Sequence, residues 1–171
     1  MKMVCWVTVV VTTLGLTLAA GCKPGPKGIT SLQRKEAEVL VNEAQFAMTL
    51  HDLPRAEGLL AKAARLCPDE GPYWVTLGSV RVKLGNREAA KAAYKAGLSA
   101  YETEAKSDKS DVEPWLKQIY VLALLGRVDD GRALLEKIAK RFPDSRNVRL
   151  FVEGRQFDRM LADPKFKEVA L

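Results

Sequence analysis

The sequence predicts an all-α protein of consecutive helix hairpins, closed at its C-terminal end by shorter helices. Three observations carry this. Ala and Leu are frequent, and β-branched residues thin out after residue 22, which favours helix over strand. Two stretches, GPYWVTLGSVRVKLGNREAAKAAYKAGL and VEPWLKQIYVLALLGRVDDGRALLEKIA, share one spacing around Trp74 and Trp115. Helix-ending glycines, Gly85 and Gly126, recur at the same distance from each Trp.

The first element is Met1–Ala20. Lys2 is its only charge, and Val4–Ala20 is an uncharged run of about 17 residues, short for a spanning helix and interrupted by Thr8, Thr12, Thr13 and Thr17. A charged start followed by an apolar run reads as an export signal. Small residues, Ala19, Ala20 and Gly21, lead to Cys22. Leu18-Ala19-Ala20-Gly21-Cys22 resembles a bacterial lipobox, with Ala19 in the place usually held by Leu. The resemblance implies a signal peptide over 1–21, cleaved before Cys22, and a lipid on the Cys22 thiol. Acyl chains contribute about 0.8 kcal/mol per buried CH₂, so a triacylated cysteine holds a chain on a bilayer. Two alternatives stand beside it: cleavage by an ordinary signal peptidase after Gly21, or an uncleaved anchor. Each exports the domain. Lys23 in place of Asp resembles an outer-membrane address. Residues 22–30, with Lys23-Pro24-Gly25-Pro26-Lys27-Gly28, read as a flexible tether.

Thr30-Ser31-Leu32-Gln33 fits a capping box, so the first helix is expected to start near Ser31. Three units follow within 31–144, at about 37–70, 71–111 and 112–145. Each Trp is followed after ten residues by Leu-Gly, after sixteen by Ala90 or Gly131, and after twenty by Tyr94 or Leu135. From Leu40 the same offsets reach Leu50, Ala56 and Leu60, with His51 at the glycine position. Pro68 and Pro143 close the first and third units. Trp74 and Trp115 lie 41 apart, so the second unit has room for a longer helix, Arg87 to about Lys106, with a turn over Ser107–Ser110. Ala90, Tyr94 and Gly97 set small and large residues on one helical face.

Trp74, Leu77, Gly78, Gly85, Ala90, Tyr94 and Gly97 resemble the tetratricopeptide repeat, with its W-x2-L-G…A-x3-F pattern of about 34 residues. The resemblance implies antiparallel hairpins winding into a right-handed superhelix. The expected packing positions are Leu40, Ala56, Leu60, Trp74, Leu77, Gly78, Ala90, Tyr94, Trp115 and Leu135. Its first helices would line a concave groove with Glu38, Val41, Gln45 and Met48, then Pro72 (placed before its helix), Val75, Ser79 and Val82, then Glu113, Leu116, Tyr120 and Ala123. None carries the positive charge of the family's carboxylate clamp. Residues 145–171 form a cap: Asp144 or Ser145 starts a helix that Gly154 ends, and Phe157, Leu161, Phe166 and Val169 cover the open end of the stack.

The chain has 171 residues, enough for one domain with a core, and a net charge of +6. Cys5, Cys22 and Cys67 form no zinc spacing, so neither metal nor cofactor is expected. No phosphate loop, HExxH or GxSxG is present, and no motif places a nucleophile near His51, so catalysis is not expected. Asp129-Asp130 reads as helix-start chemistry and Cys67 as a buried apolar residue. The groove points to an adaptor of the bacterial cell envelope, receiving an apolar peptide or amphipathic helix from an envelope protein. The alternatives are a structural lipoprotein holding wall polymer or anionic lipid on its basic residues, and an enzyme of unknown type. Nucleic acid is not an expected partner; a homo-oligomer, or the tail itself, remains an alternative occupant of the groove.

Overall fold

A computed structural model describes residues 28–171. The predicted signal segment and Cys22 lie outside those residues. The chain is all-helical, with no strand among the described residues. In order, the helices are α1 Ser31–Thr49, α2 Leu53–Leu66, α3 Gly71–Lys83, α4 Arg87–Ser107, α5 Glu113–Leu124, α6 Val128–Arg141, α7 Arg146–Glu153, α8 Gln156–Ala162 and α9 Pro164–Lys167. Helix α1 pairs with α2, α3 with α4 and α5 with α6, while α2–α3 and α4–α5 join the pairs into one stack.

The caps explain where helices begin. The Thr30 side chain accepts from the Gln33 amide, and Gln33 Oε1 accepts from the Thr30 amide at 2.9 Å, the expected capping box. Asp52 and Asn86 cap α2 and α4 by accepting from Arg55 and Ala89. Pro72 lies inside the first turn of α3, not before it, because a first turn needs no donor at that position.

Three turns share one construction. His51, Gly85 and Gly126 have φ of 59°, 80° and 72°, the left-handed region. In each, the next amide reaches back five residues: Asp52 to Ala47, Asn86 to Arg81 and Arg127 to Leu122, at 2.8–2.9 Å. The left-handed residue itself donates three residues back, to Met48, Val82 and Ala123. That is the paired closure of a Schellman motif. His51 thus performs a glycine's task, as its alignment with Gly85 predicts. At the end of α7 the assignment differs: Gly154 has φ −73° and Arg155 takes the positive φ of 49°.

Small residues set helix spacing. Ala44, Ala47, Ala56, Leu60 and Ala64 are buried where α1 meets α2 and the next pair. Between α3 and α4, Tyr94 lies over Gly78 and Tyr101 over Gly71; a Cβ on either glycine would overlap the ring. Gly97 leaves room for Trp74 Cβ and Val75. The long α4 ends at Ser107, as the 41-residue spacing predicts, and its last turns bury Tyr101 and Ala105. Gln118 Nε2 donates to the Tyr101 carbonyl at 3.2 Å and ties α5 to that extension.

Among the expected packing positions, Ala56, Leu60, Leu77, Gly78, Ala90 and Tyr94 are buried, while Leu40, Trp74, Trp115 and Leu135 are half-buried. Trp74 Nε1 donates to the Pro68 carbonyl at 3.0 Å, closing the α2–α3 turn. Ile138, three residues past Leu135, is the large side chain that α6 buries fully, and Gly131 is buried with it.

Gly78→Ala is expected to cost about 1–3 kcal/mol, since the Tyr94 ring has to move. Gly58, helical and with nothing within 4 Å of its built Cβ, is the control: Gly58→Ala is expected to stabilise by about 0.5–1 kcal/mol. Urea unfolding of both variants checks the pair.

Candidate docking surface

Two clefts open on the face made by α3 and α5. The first, of about 490 Å³, is walled by Pro72, Val75, Leu116, Tyr120, Leu150 and Phe151, with Asn147, Gln156, Glu113 and Lys117 as polar points. The second, of about 430 Å³, is lined by Met48, His51, Leu53, Val75, Thr76, Ser79, Lys83 and Tyr120. Val75, Thr76 and Tyr120 line both.

Of the predicted groove residues, the structure brings Met48, Pro72, Val75, Ser79, Glu113, Leu116 and Tyr120 to these clefts, while Glu38 is exposed and lines neither. Val41 instead packs against the α1–α2 core, and Gln45 is exposed and lines neither cleft. Val82 packs against the larger core cluster. Ala123 is buried.

The tail occupies part of the expected groove. Tyr94 Oη donates to the Val169 carbonyl at 2.6 Å and lies 3.3 Å from Ser79 Oγ. Phe166 meets Tyr120 edge-on, with ring centroids 5.8 Å apart. The Leu171 amide donates to the Leu124 carbonyl at 2.9 Å. Phe157 is buried against Gly131, whose Cβ would come within 3.0 Å of its ring. The tail therefore packs on the end of the stack and returns to Tyr94, Tyr120 and Leu124. The walls from α7 and α8 (Asn147, Leu150, Phe151 and Gln156) carry no signal in the repeat pattern, because they come from outside it.

Burial tunes the phenols here. It pushes Tyr94 up to about 12, partly opposed by the Ser79 hydroxyl. Tyr101 is also pushed up to about 12, by burial and then by Glu104, Glu70 and Glu113. Lys117 Nζ lies 5.5 Å from the centre of the Tyr101 ring, a cation–π contact at the cleft wall.

The remaining candidates have structural tasks. Asp130 pairs with Arg127 at 2.6 Å across the first turn of α6. Cys67 is buried and has no disulfide partner among the described residues, its Sγ 3.7 Å from the Gln33 carbonyl, and burial pushes its thiol up. No cluster of three metal-ligating side chains exists among the described residues. No helix among the described residues is long and apolar enough to cross a membrane. Neither a protein-family model nor a curated protein matches the chain.

The raised phenols predict an alkaline limit. An unfolded tyrosine titrates near 10. Between about pH 10 and 12 the unfolded chain releases protons that Tyr94 and Tyr101 keep when folded. Their contribution to stability is complete below about pH 10 and is lost as pH rises through about 12. Urea midpoints measured across that window should fall less steeply in Tyr101→Phe than in the parent. Tyr94→Phe should also cost about 1 kcal/mol at neutral pH, through its bond to Val169.

Proposed function

We propose that this chain is a lipid-anchored adaptor of the tetratricopeptide type, exported to a bacterial envelope membrane, the periplasmic face of the outer membrane where the cell has one. It binds rather than catalyses. Its ligand is a short extended peptide with apolar side chains, supplied by an envelope protein.

The observation that carries this reading is the first cleft. Val75, Leu116, Leu150 and Phe151 give it apolar walls, and exposed amides on Asn147 and Gln156 sit beside them. Its 490 Å³ falls within the range of ligand pockets. Apolar walls select side chains, while amide donors and acceptors suit a peptide backbone. The three matching Schellman turns and the recurrent offsets from Leu40, Trp74 and Trp115 support the repeat assignment. The apolar run ending at Ala19-Ala20-Gly21-Cys22 supports the anchor. A lipid at Cys22 would hold the cleft near a membrane and raise its effective concentration there.

Peptide-library selection on the purified chain, read by fluorescence anisotropy, tests the cleft. Val75→Lys and Leu116→Lys are each expected to weaken the selected peptide at least about tenfold with unchanged helical circular dichroism. Unchanged binding by both variants rejects the cleft. Intact mass of the N-terminal peptide tests the anchor separately: an acylated Cys22 start is expected, and an unmodified Cys22 rejects it.

A further inference from the structure

The outer face of α1 carries a second surface. Eight large apolar residues are conspicuously exposed among the described residues, and Leu32, Val39, Phe46 and Leu50 are half of them. Leu32 is 74% exposed and Phe46 61%. Leu32, Val39 and Phe46 are seven apart, and Leu50 is four further on, so all four share one face of the helix. Ala37, Ala44 and Ala47 face α2 instead. Met48, which lines the second cleft, is two residues from Phe46 and so points to the other side of α1. The stack is capped by α8 and the tail at one end, while this face at the other end has no covering element among the described residues.

The flanks of the stripe select its occupant. Residues three on from the stripe members, Lys35, Asn42 and Thr49, form one flank. Residues four on, Glu36 and Glu43, form the other. All five are exposed, and Lys35, Glu36 and Glu43 make no ion pair among the described residues. In a parallel two-fold pair of α1 helices, each Lys35 flank meets the acidic flank of the other copy, with Lys35 level with Glu36. In an antiparallel pair, acid meets acid. On α1 itself an anionic lipid surface would meet two carboxylates and a single ammonium, although Lys62 and Arg65 of α2 line a cleft with Glu36.

We propose that the outer face of α1 is the interface of a parallel homodimer, in which Leu32, Val39 and Phe46 each oppose their own counterparts. Two-fold symmetry makes the contact self-complementary. A single-helix contact is small beside a standard interface of about 800 Å² per partner, so the pair is a weak one. The surface lies away from the peptide cleft, and its test is independent of that reading.

Cysteine substitutions in the full chain read both pairing and direction. Leu32→Cys, Val39→Cys and Phe46→Cys, made one at a time, are each expected to yield disulfide-linked dimers above the background of the parent. A parallel register requires self-linking at both 32 and 46. Self-linking at one position only, with strong linking between chains carrying Leu32→Cys and Phe46→Cys, overturns the parallel arrangement. Lys35→Glu in the Val39→Cys background should lower the yield about fivefold or more, and adding Glu36→Lys should restore it. Absence of dimer at all three positions overturns the proposal, as does equal linking at Glu153→Cys on α7.

Discussion

The contact on which the remaining geometry depends is the pair of tyrosines on α4 lying over the pair of glycines on α3. Tyr94 and Tyr101 are seven residues apart, and so are Gly78 and Gly71. Because the helices run in opposite directions, one register satisfies both contacts, and a shift by a single residue satisfies neither. Each ring needs the volume that a Cβ would take, so the glycines set the distance between helices as well as the register. The rings then serve a second purpose. Tyr94 passes through the α3–α4 contact to reach the Val169 carbonyl, and Tyr101 passes through it to form a wall of the first cleft. Helix packing, tail position and cleft shape are therefore coupled through two side chains.

Much of this is legible in the sequence, for physical reasons that can be named. The turn at Gly85 is readable because a left-handed residue after a helical run is most often glycine, and His51 is readable only by its alignment with it. The length of α4 is readable because seven extra residues extend a helix by about two turns and preserve its buried face. The cleft is less so. Val75, Leu116 and Tyr120 fall at spacings that a repeat pattern predicts, but Leu150, Phe151 and Gln156 reach the same cleft through the chain path of α7 and α8. Nothing local in RNVRLFVE says which inner surface it will meet. The return of the tail to Tyr94 is likewise a contact across 75 residues, made by a carbonyl that any residue would supply.

The role of Gly131 shows how one pattern position can answer two demands. In the repeat spacing it stands where Ala90 stands, a small residue that lets paired helices approach. In the fold the same lack of a side chain admits the Phe157 ring, and the Ile119 carbonyl lies near by. Phe157 in turn brings α8 onto the last hairpin and carries the chain towards α9. The cap thus depends on a vacancy that the repeat already provides, and it needs no insertion into α6 to seat.

The two ends of the stack answer the same problem differently. A stack of hairpins leaves an apolar face at each end, since every internal face is covered by a neighbour. At the C-terminal end Phe157, Phe166 and the last three residues are drawn from the chain itself, and their backbone groups find partners on Leu124 and Tyr94. At the N-terminal end α1 has covered only one side, and a repeated apolar position has survived on the other, between a flank with Lys35 and a flank with Glu36 and Glu43. Solubility alone would place charge on such a face, as it does at most exposed positions of α4. A stripe that keeps its apolar residues in register over four turns, with opposite charge on its two sides, has the composition of a contact surface.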